Sequence, residues 1–308
     1  METRPDLQKE TTVTKTKNKK REGRSLWMDG WIRLKKNKLA MFGLYLVIII
    51  VLAALFAPFI TKYDPYTQLI WTEGRAAQLS PPSAKHWFGT DVYGRDIFTR
   101  VIYGARISLQ IGIASVLISV LIGVPLGAIA GYYGGLVDDV ISWLINVIFA
   151  FPFLLFVLAI VAYLPPSLII MYVAIGVVNW ASIARVVRGQ VLSVKEKEYV
   201  EAANALGSSD FRVIFKHILP NVLAPVIVQA TLRVGNVIML EAALSFLGFG
   251  VQPPEPSWGY MINQGRQFLL AGKWWWSVFP GIAIMMLVLG FNLLGDGLRD
   301  ALDPRLKQ

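Results

Sequence analysis

Cysteine is absent from this chain of 308 residues, which removes disulfides, thiolate metal sites, iron–sulfur clusters and cysteine nucleophiles at one stroke. Histidine is almost absent. His86 and His217 are the only two and lie far apart in the chain, so no imidazole metal cluster is expected. Charge is scarce: 16% of residues, against about 25% in an ordinary soluble domain. No G-x-x-x-x-G-K-[ST], G-x-S-x-G or H-E-x-x-H occurs, so the residues for nucleotide hydrolysis and for the common hydrolase mechanisms are missing. What fills the chain is apolar, 55% of it, more than one soluble core of this length can bury.

Long runs without a charge account for the excess. Leu39–Ile60, Ile107–Tyr133, Val140–Leu164 and Trp274–Leu294 carry none, and each meets the roughly 20 residues that an α-helix needs to cross hydrocarbon about 30 Å thick. Ser167–Ala184, after Pro165 and Pro166, is a shorter span of the same kind. Val222–Val251 follows Pro220 and is broken only by Arg233 and Glu241. The sequence therefore predicts an all-α integral membrane protein with six transmembrane helices. The first run is not expected to be a cleaved signal peptide, because both the 22 residues of the run and the chain before it exceed signal dimensions.

Of the 30 Lys and Arg, 12 precede Leu39. This basic tail, disordered over about Met1–Arg24, reads as a cytoplasmic orienting segment and not as a nucleic-acid arm. Six spans then bring the C-terminal end back inside, in agreement with Arg299, Arg305 and Lys307. The loop from Arg185 to Lys216 also falls inside, with six basic residues. One loop opposes the scheme: 61–106 falls outside yet holds Arg75, Lys85, Arg95, Arg100 and Arg106. The expected division is thus a tail at 1–38, a first span at 39–60, and an extracytoplasmic loop at 61–106. A core of five spans at 107–298, with an inside loop at 190–221, and a cytoplasmic end at 299–308 complete it.

Gly123, Gly127, Gly131 and Gly135 recur every four residues, which places small residues on one helix face and lets a second backbone approach. Ile97, Phe98, Val101, Ile102, Ala105 and Leu109 repeat at helical spacing opposite Arg95, Asp96, Thr99, Arg100 and Arg106. That pattern fits an amphipathic interfacial helix or a polar start to the second span. In the inside loop, Glu196–Leu206 is rich in helix formers and Gly207 suits a helix end. A second short helix is expected from Asp210, stopping before Pro220. From the pattern alone this helix–turn–helix is either a docking knob or a well-made loop. Arg233 and Glu241, as charges within a span, are candidate pathway or buried-pair residues.

The Glu201-Ala202-Ala203, Gly207 and Leu219-Pro220 spacing resembles the "EAA loop" of permease subunits of bacterial ATP-binding-cassette importers. His217 stands where that family usually has isoleucine. Further segments narrow the likeness: Phe88-Gly-Thr-Asp91, Gly94-Arg95-Asp96, Ala184-Arg185-Val-Val-Arg188-Gly-Gln190, Glu241-Ala-Ala-Leu-Ser-Phe-Leu-Gly248 and Asp300-Ala-Leu-Asp303-Pro304. Together they resemble the C-type permeases of the dipeptide, oligopeptide and nickel group, over about Trp31–Leu306. The resemblance implies a type I importer permease (MetI-like) fold in the cell inner membrane. It implies a homologous second permease, two ATPase subunits that hold ATP and magnesium, and an extracytoplasmic solute-binding protein as partners. The chain itself would hold no cofactor and be no enzyme. Glu201, Ala202, Ala203, Gly207, Leu219 and Pro220 would couple the ATPases to the spans. Peptide is the expected solute, with nickel or another small solute as the alternative. An ion channel or an intramembrane enzyme built on Arg233, Glu241 or Asp296 is the different-class alternative.

Overall fold

The computed structural model describes residues 26–302; the tail reading over Met1–Arg24 and the basic residues Arg305 and Lys307 lie outside the described residues. Among those described, the structure is helical apart from loops and one isolated bridge between Thr90 and Asp96. A short helix, α1 (Leu26–Lys36), precedes α2 (Lys38–Leu55). Asn37 separates them because its Oδ1 accepts from the amides of Leu39 and Ala40, both at 3.1 Å, and so caps α2. The end of the tail is therefore structured, with Leu34 buried beside Ala40 and Ala301. Helix α2 stops short of the expected Ile60. Phe56 interrupts it, and Pro58 starts a separate turn, α3 (Ala57–Ile60).

The loop that follows carries α4 (Ile70–Glu73) and a 3₁₀ turn at Gly74–Ala77. It leads into α5 (Ile97–Tyr133), 37 residues long, whose first amides are capped by Asp96 Oδ1 accepting from Thr99 N at 2.8 Å. At 1.5 Å per residue this helix spans about 55 Å, well over the hydrocarbon thickness. The amphipathic stretch is thus the first part of the second span, and its polar side does not face water: Thr99 is 0% exposed and Arg100 1%.

The expected third span is two helices, α6 (Gly135–Ala150) and α7 (Phe153–Tyr163), bent by 84°. Pro152 has no amide hydrogen and pushes Phe151 into extended backbone (φ −96°, ψ 138°), which breaks the ladder. Next come α8 (Leu168–Lys195), α9 (Glu198–Ala205) and α10 (Asp210–Arg212). Then α11 (Leu219–Phe246), α12 (Trp258–Arg266) and α13 (Trp275–Leu302) complete the described chain. Among the described residues five helices are long and apolar enough to cross a membrane, six if the bent pair counts as one span.

Small residues set the closest helix approaches. A Cβ at Gly123 would stand 2.7 Å from the Trp180 carbonyl oxygen, and one at Gly131 2.9 Å from that of Arg188. The stripe therefore seats α5 against α8, as small residues do where lipid supplies no hydrophobic drive. Gly135 has left this face: it begins α6 with φ +51° and nothing near it. Gly43 and Gly290 perform the same service for α2 and α13.

At the end of the bundle away from α9, buried polar groups bind the loops to the helices. Arg95 Nε donates to Asp91 Oδ2 at 2.6 Å, His86 Nδ1 lies 2.9 Å from Asp96 Oδ2, and Arg100 Nη1 donates to the Pro65 carbonyl at 2.8 Å. Lys85 pairs with Glu73 at 2.5 Å. Arg106 donates to the carbonyls of Ala54 and Leu55, which end α2 without helical partners. Lys85, Arg95, Arg100 and Arg106 of this loop thus hold local structure. Tyr66 donates to Glu255 Oε2 at 3.0 Å, and burial followed by that carboxylate raises its phenol above the ordinary value.

Candidate functional site

The loop between α8 and α11 is built as a projecting helix with a locked end. Val200 and Ala203, three apart on α9, are buried in a cluster with Val187 and Val191 of α8 and with Val213, Ile214 and Ile218. The opposite face of α9 carries Glu201 and Ala202, both exposed. The helix ends in a Schellman motif: Ser208 N donates to Ala203 O at 3.1 Å and Gly207 N to Asn204 O at 2.9 Å. Gly207 has φ +77°, and a Cβ there would meet nothing within 4 Å. Its requirement for glycine is therefore conformational and not steric.

The second helix of the loop does not stop at Pro220. After α10 the chain forms a π turn, Val213–Ile218, and passes without interruption into α11, where Pro220 occupies the first turn. A proline there lacks only an amide that the altered ladder does not need. Asn221 Nδ2 donates to the His217 carbonyl at 2.7 Å across the junction. The loop is thus continuous with a span of 37 residues, Asp210–Phe246, although Pro225 lies inside α11. Tyr132, near the end of α5, adds a second attachment by donating to Asp210 Oδ1 at 2.9 Å.

Of the site residues expected from sequence, Glu201, Ala202, Ala203 and Gly207 lie on α9 and its cap. Leu219 packs against the same buried cluster as Ala203, while Pro220 is exposed. Sequence reading missed Phe211 and Phe215. They are 70% and 55% exposed with ring centroids 4.3 Å apart, and with Leu206 at 86% they make an apolar surface beside α9. The signal was available: they are four apart, on the face opposite Val213 and Ile214.

Arg233 and Glu241 share α11 but belong to different environments. Glu241 is fully buried and receives three hydroxyls: Ser245 at 2.7 Å and Ser257 at 3.0 Å on Oε1, and Ser108 at 3.2 Å on Oε2. It ties α11 to α5 and to Ser257, whose side chain caps α12. Arg233 is half-buried and donates from Nη1 to Asn179 Oδ1 of α8 at 3.1 Å. No carboxylate pairs with it among the described residues. A further pair, Arg188 with Asp138, is bidentate and joins α8 to α6.

Residues 123–308 match the family model of the binding-protein-dependent transport system inner membrane component, and residues 25–82 match that of the N-terminal TM domain of oligopeptide transport permease C. The dipeptide transport system permease protein DppC of Alkalihalophilus pseudofirmus is 50% identical over 92% of this chain and 91% of that relative. The oligopeptide transport system permease protein OppC of Bacillus subtilis is 43% identical, covering 92% of this chain and 91% of its own. The glutathione transport system permease protein GsiD of Escherichia coli O157:H7 is 41% identical, covering 92% of both. Among solved structures, the inward-facing MetNI methionine ABC transporter superposes with a TM-score of 0.54 over 66% of this chain and 96% of that one. At 19% identity the likeness concerns fold alone.

Proposed function

Because the chain belongs to the family of binding-protein-dependent transport system inner membrane components, we propose that it forms half of the membrane path of a peptide importer. In this reading it passes the closing motion of ATPase subunits to that path. The family is one of multi-pass transport permeases that work in complexes with other subunits, and it is not a family of enzymes. The partners proposed here are a homologous second permease, two ATPases that hold ATP and magnesium, and an extracytoplasmic solute-binding protein. Both ends of the chain would then lie in the cytoplasm of a cell whose inner membrane holds the spans.

The observation that carries this reading is the form of α9. A docking helix that transmits force has to be held on one face, open on the other and fixed at its end. Val200 and Ala203 hold it, Glu201 and Ala202 leave it open, and the Gly207 cap fixes it. The apolar surface of Leu206, Phe211 and Phe215 offers desolvation energy to a groove on an ATPase. Force then passes from α10 through the π turn into α11 as a rigid-body movement. Peptide is favoured as solute by the dipeptide and oligopeptide permeases among its relatives.

The test is Gly207→Val in a complex reconstituted with the proposed ATPase, second-permease and binding-protein partners. A β-branched residue at φ +77° is strained by roughly 1–3 kcal/mol, while the surrounding space is open, so the helix end alone should be disturbed. Peptide uptake should fall severalfold or more, with the chain still in the membrane and the second permease still bound. Uptake at the parent rate would refute the coupling role.

A further inference from the structure

Arg233 lies 14 residues from the start of α11 and 13 from its end, about 20 Å from either. So placed, Arg233 stands near the middle of the apolar run Val222–Val251. Gln229, Arg233 and Asn236 follow one another at spacings of four and three and so share one helix face. In the single chain Gln229 and Arg233 are half-buried and Asn236 is exposed. Charge and amides turned to hydrocarbon are costly, so such a stripe faces water or protein.

The guanidinium has five donors, and among the described residues Asn179 takes one. The acid on the same helix, Glu241, is occupied by three serine hydroxyls two turns away. By contrast Arg95 and Arg188 each have a carboxylate partner. The middle of α11 therefore holds an arginine that is positioned by a neutral oxygen and keeps its charge unmatched.

We propose that this face of α11 lines the solute path and that Arg233, held by Asn179, receives a carboxylate of the passing solute. For a peptide this is the free C-terminal carboxylate, so the inference rests on the peptide-importer reading. A neutral partner suits the task. An acid at position 179 would cancel the charge, whereas an amide fixes the guanidinium and leaves its remaining donors for a bidentate, releasable contact.

The experiment uses the complete reconstituted complex and two peptides of one sequence, one with a free C-terminal carboxylate and one amidated. Uptake of each is measured for the parent, Arg233→Lys and Arg233→Gln, with subunit composition and binding-protein-stimulated ATPase activity measured alongside. The binding protein carries no change, so its own preference cancels when variant and parent are compared. Arg233→Gln should lower the free-acid to amide ratio at least about tenfold, the scale of one lost charged hydrogen bond, and Arg233→Lys should retain part of the preference. A cysteine at Asn236 should react with a water-soluble thiol reagent and be protected by the free-acid peptide. An unchanged ratio in Arg233→Gln overturns the inference, as does an unreactive cysteine at 236. Loss of the second permease from both variants would assign the stripe to the subunit interface and also overturn it. Failure of the parent to move either peptide would overturn the peptide reading and this inference with it; uptake of both with the ratio unchanged overturns this inference alone.

Discussion

Gly123→Ala isolates the contact on which the α5–α8 pair depends. The added methyl carbon would stand 2.7 Å from the Trp180 carbonyl oxygen, 2.8 Å from Ile183 Cβ and 3.0 Å from the Ala184 nitrogen. Close carbon–oxygen contacts in proteins lie at about 3.3–3.6 Å, so the helices must part by about 0.6 Å or more at that level. Overpacking of this kind costs about 1–3 kcal/mol. Gly189→Ala is the matched control, because it lies within the same helix pair on α8 and its added Cβ meets nothing within 4 Å. There the substitution should be neutral or stabilise by about 0.5–1 kcal/mol, the ordinary cost of glycine in a helix. The propensity gain is common to both helix-interior variants, so they should differ by the overpacking alone, about 1–3 kcal/mol, in unfolding by sodium dodecyl sulfate from mixed micelles. Truncating Ile183 to alanine should not rescue Gly123→Ala, since the obstructing atoms are main chain and a Cβ that alanine keeps. Equal stability of Gly123→Ala and Gly189→Ala would refute the close-approach argument, and rescue by Ile183→Ala would show that side-chain bulk was the obstacle.

Orientation can be read from two cysteines introduced singly into a chain that has none. With Gln78 and Ser209 both exposed, a cysteine at 78 should react with an impermeant thiol reagent in intact cells and one at 209 only after lysis; the reverse pattern would invert the topology. Glu241→Gln should be tolerated at a cost of about 1–2 kcal/mol, because the amide oxygen still accepts from Ser245 and Ser257 while Ser108 turns to accept from the amide nitrogen. Glu241→Leu removes both oxygens that accept the three hydroxyls and should destabilise by several times as much; a leucine variant as stable as the parent in the same unfolding assay would show that the serines do not depend on the carboxylate.

Much of the architecture was legible because hydrocarbon imposes a simple rule. A run of about 20 uncharged residues is a span wherever it lies, so Leu39–Leu55 and the apolar parts of α5, α11 and α13 could be found by inspection. The glycine stripe was legible for a similar reason: spacing of four defines a helix face without knowledge of the partner. The Gly207 cap was legible too, since a helix-forming run ended by glycine is a local matter of backbone conformation. The bend at Phe151–Pro152 was foreshadowed by the proline, but its 84° was not, because a proline permits a break and the neighbouring helices set its angle. The run through Pro220 was misjudged for the opposite reason. The π turn at Val213–Ile218 removes the ladder position that proline would have broken, and a π turn has no residue signature of its own.

By itself the sequence determined the helical class, the runs apolar and long enough to cross a membrane and the place of the loop that carries α9, because these follow from local composition and helical period. Only the tertiary structure decided what each isolated polar residue does. Arg95, Arg100 and Arg106 look alike in the sequence, yet one meets a carboxylate and two meet main-chain carbonyls. Glu241 and Arg233, two turns apart on one helix, face three serines and a single asparagine. Those partners come from positions up to 133 residues away in the chain. The free energy of a buried charge is fixed by the few atoms that packing brings within about 3 Å of it, and no local pattern encodes them.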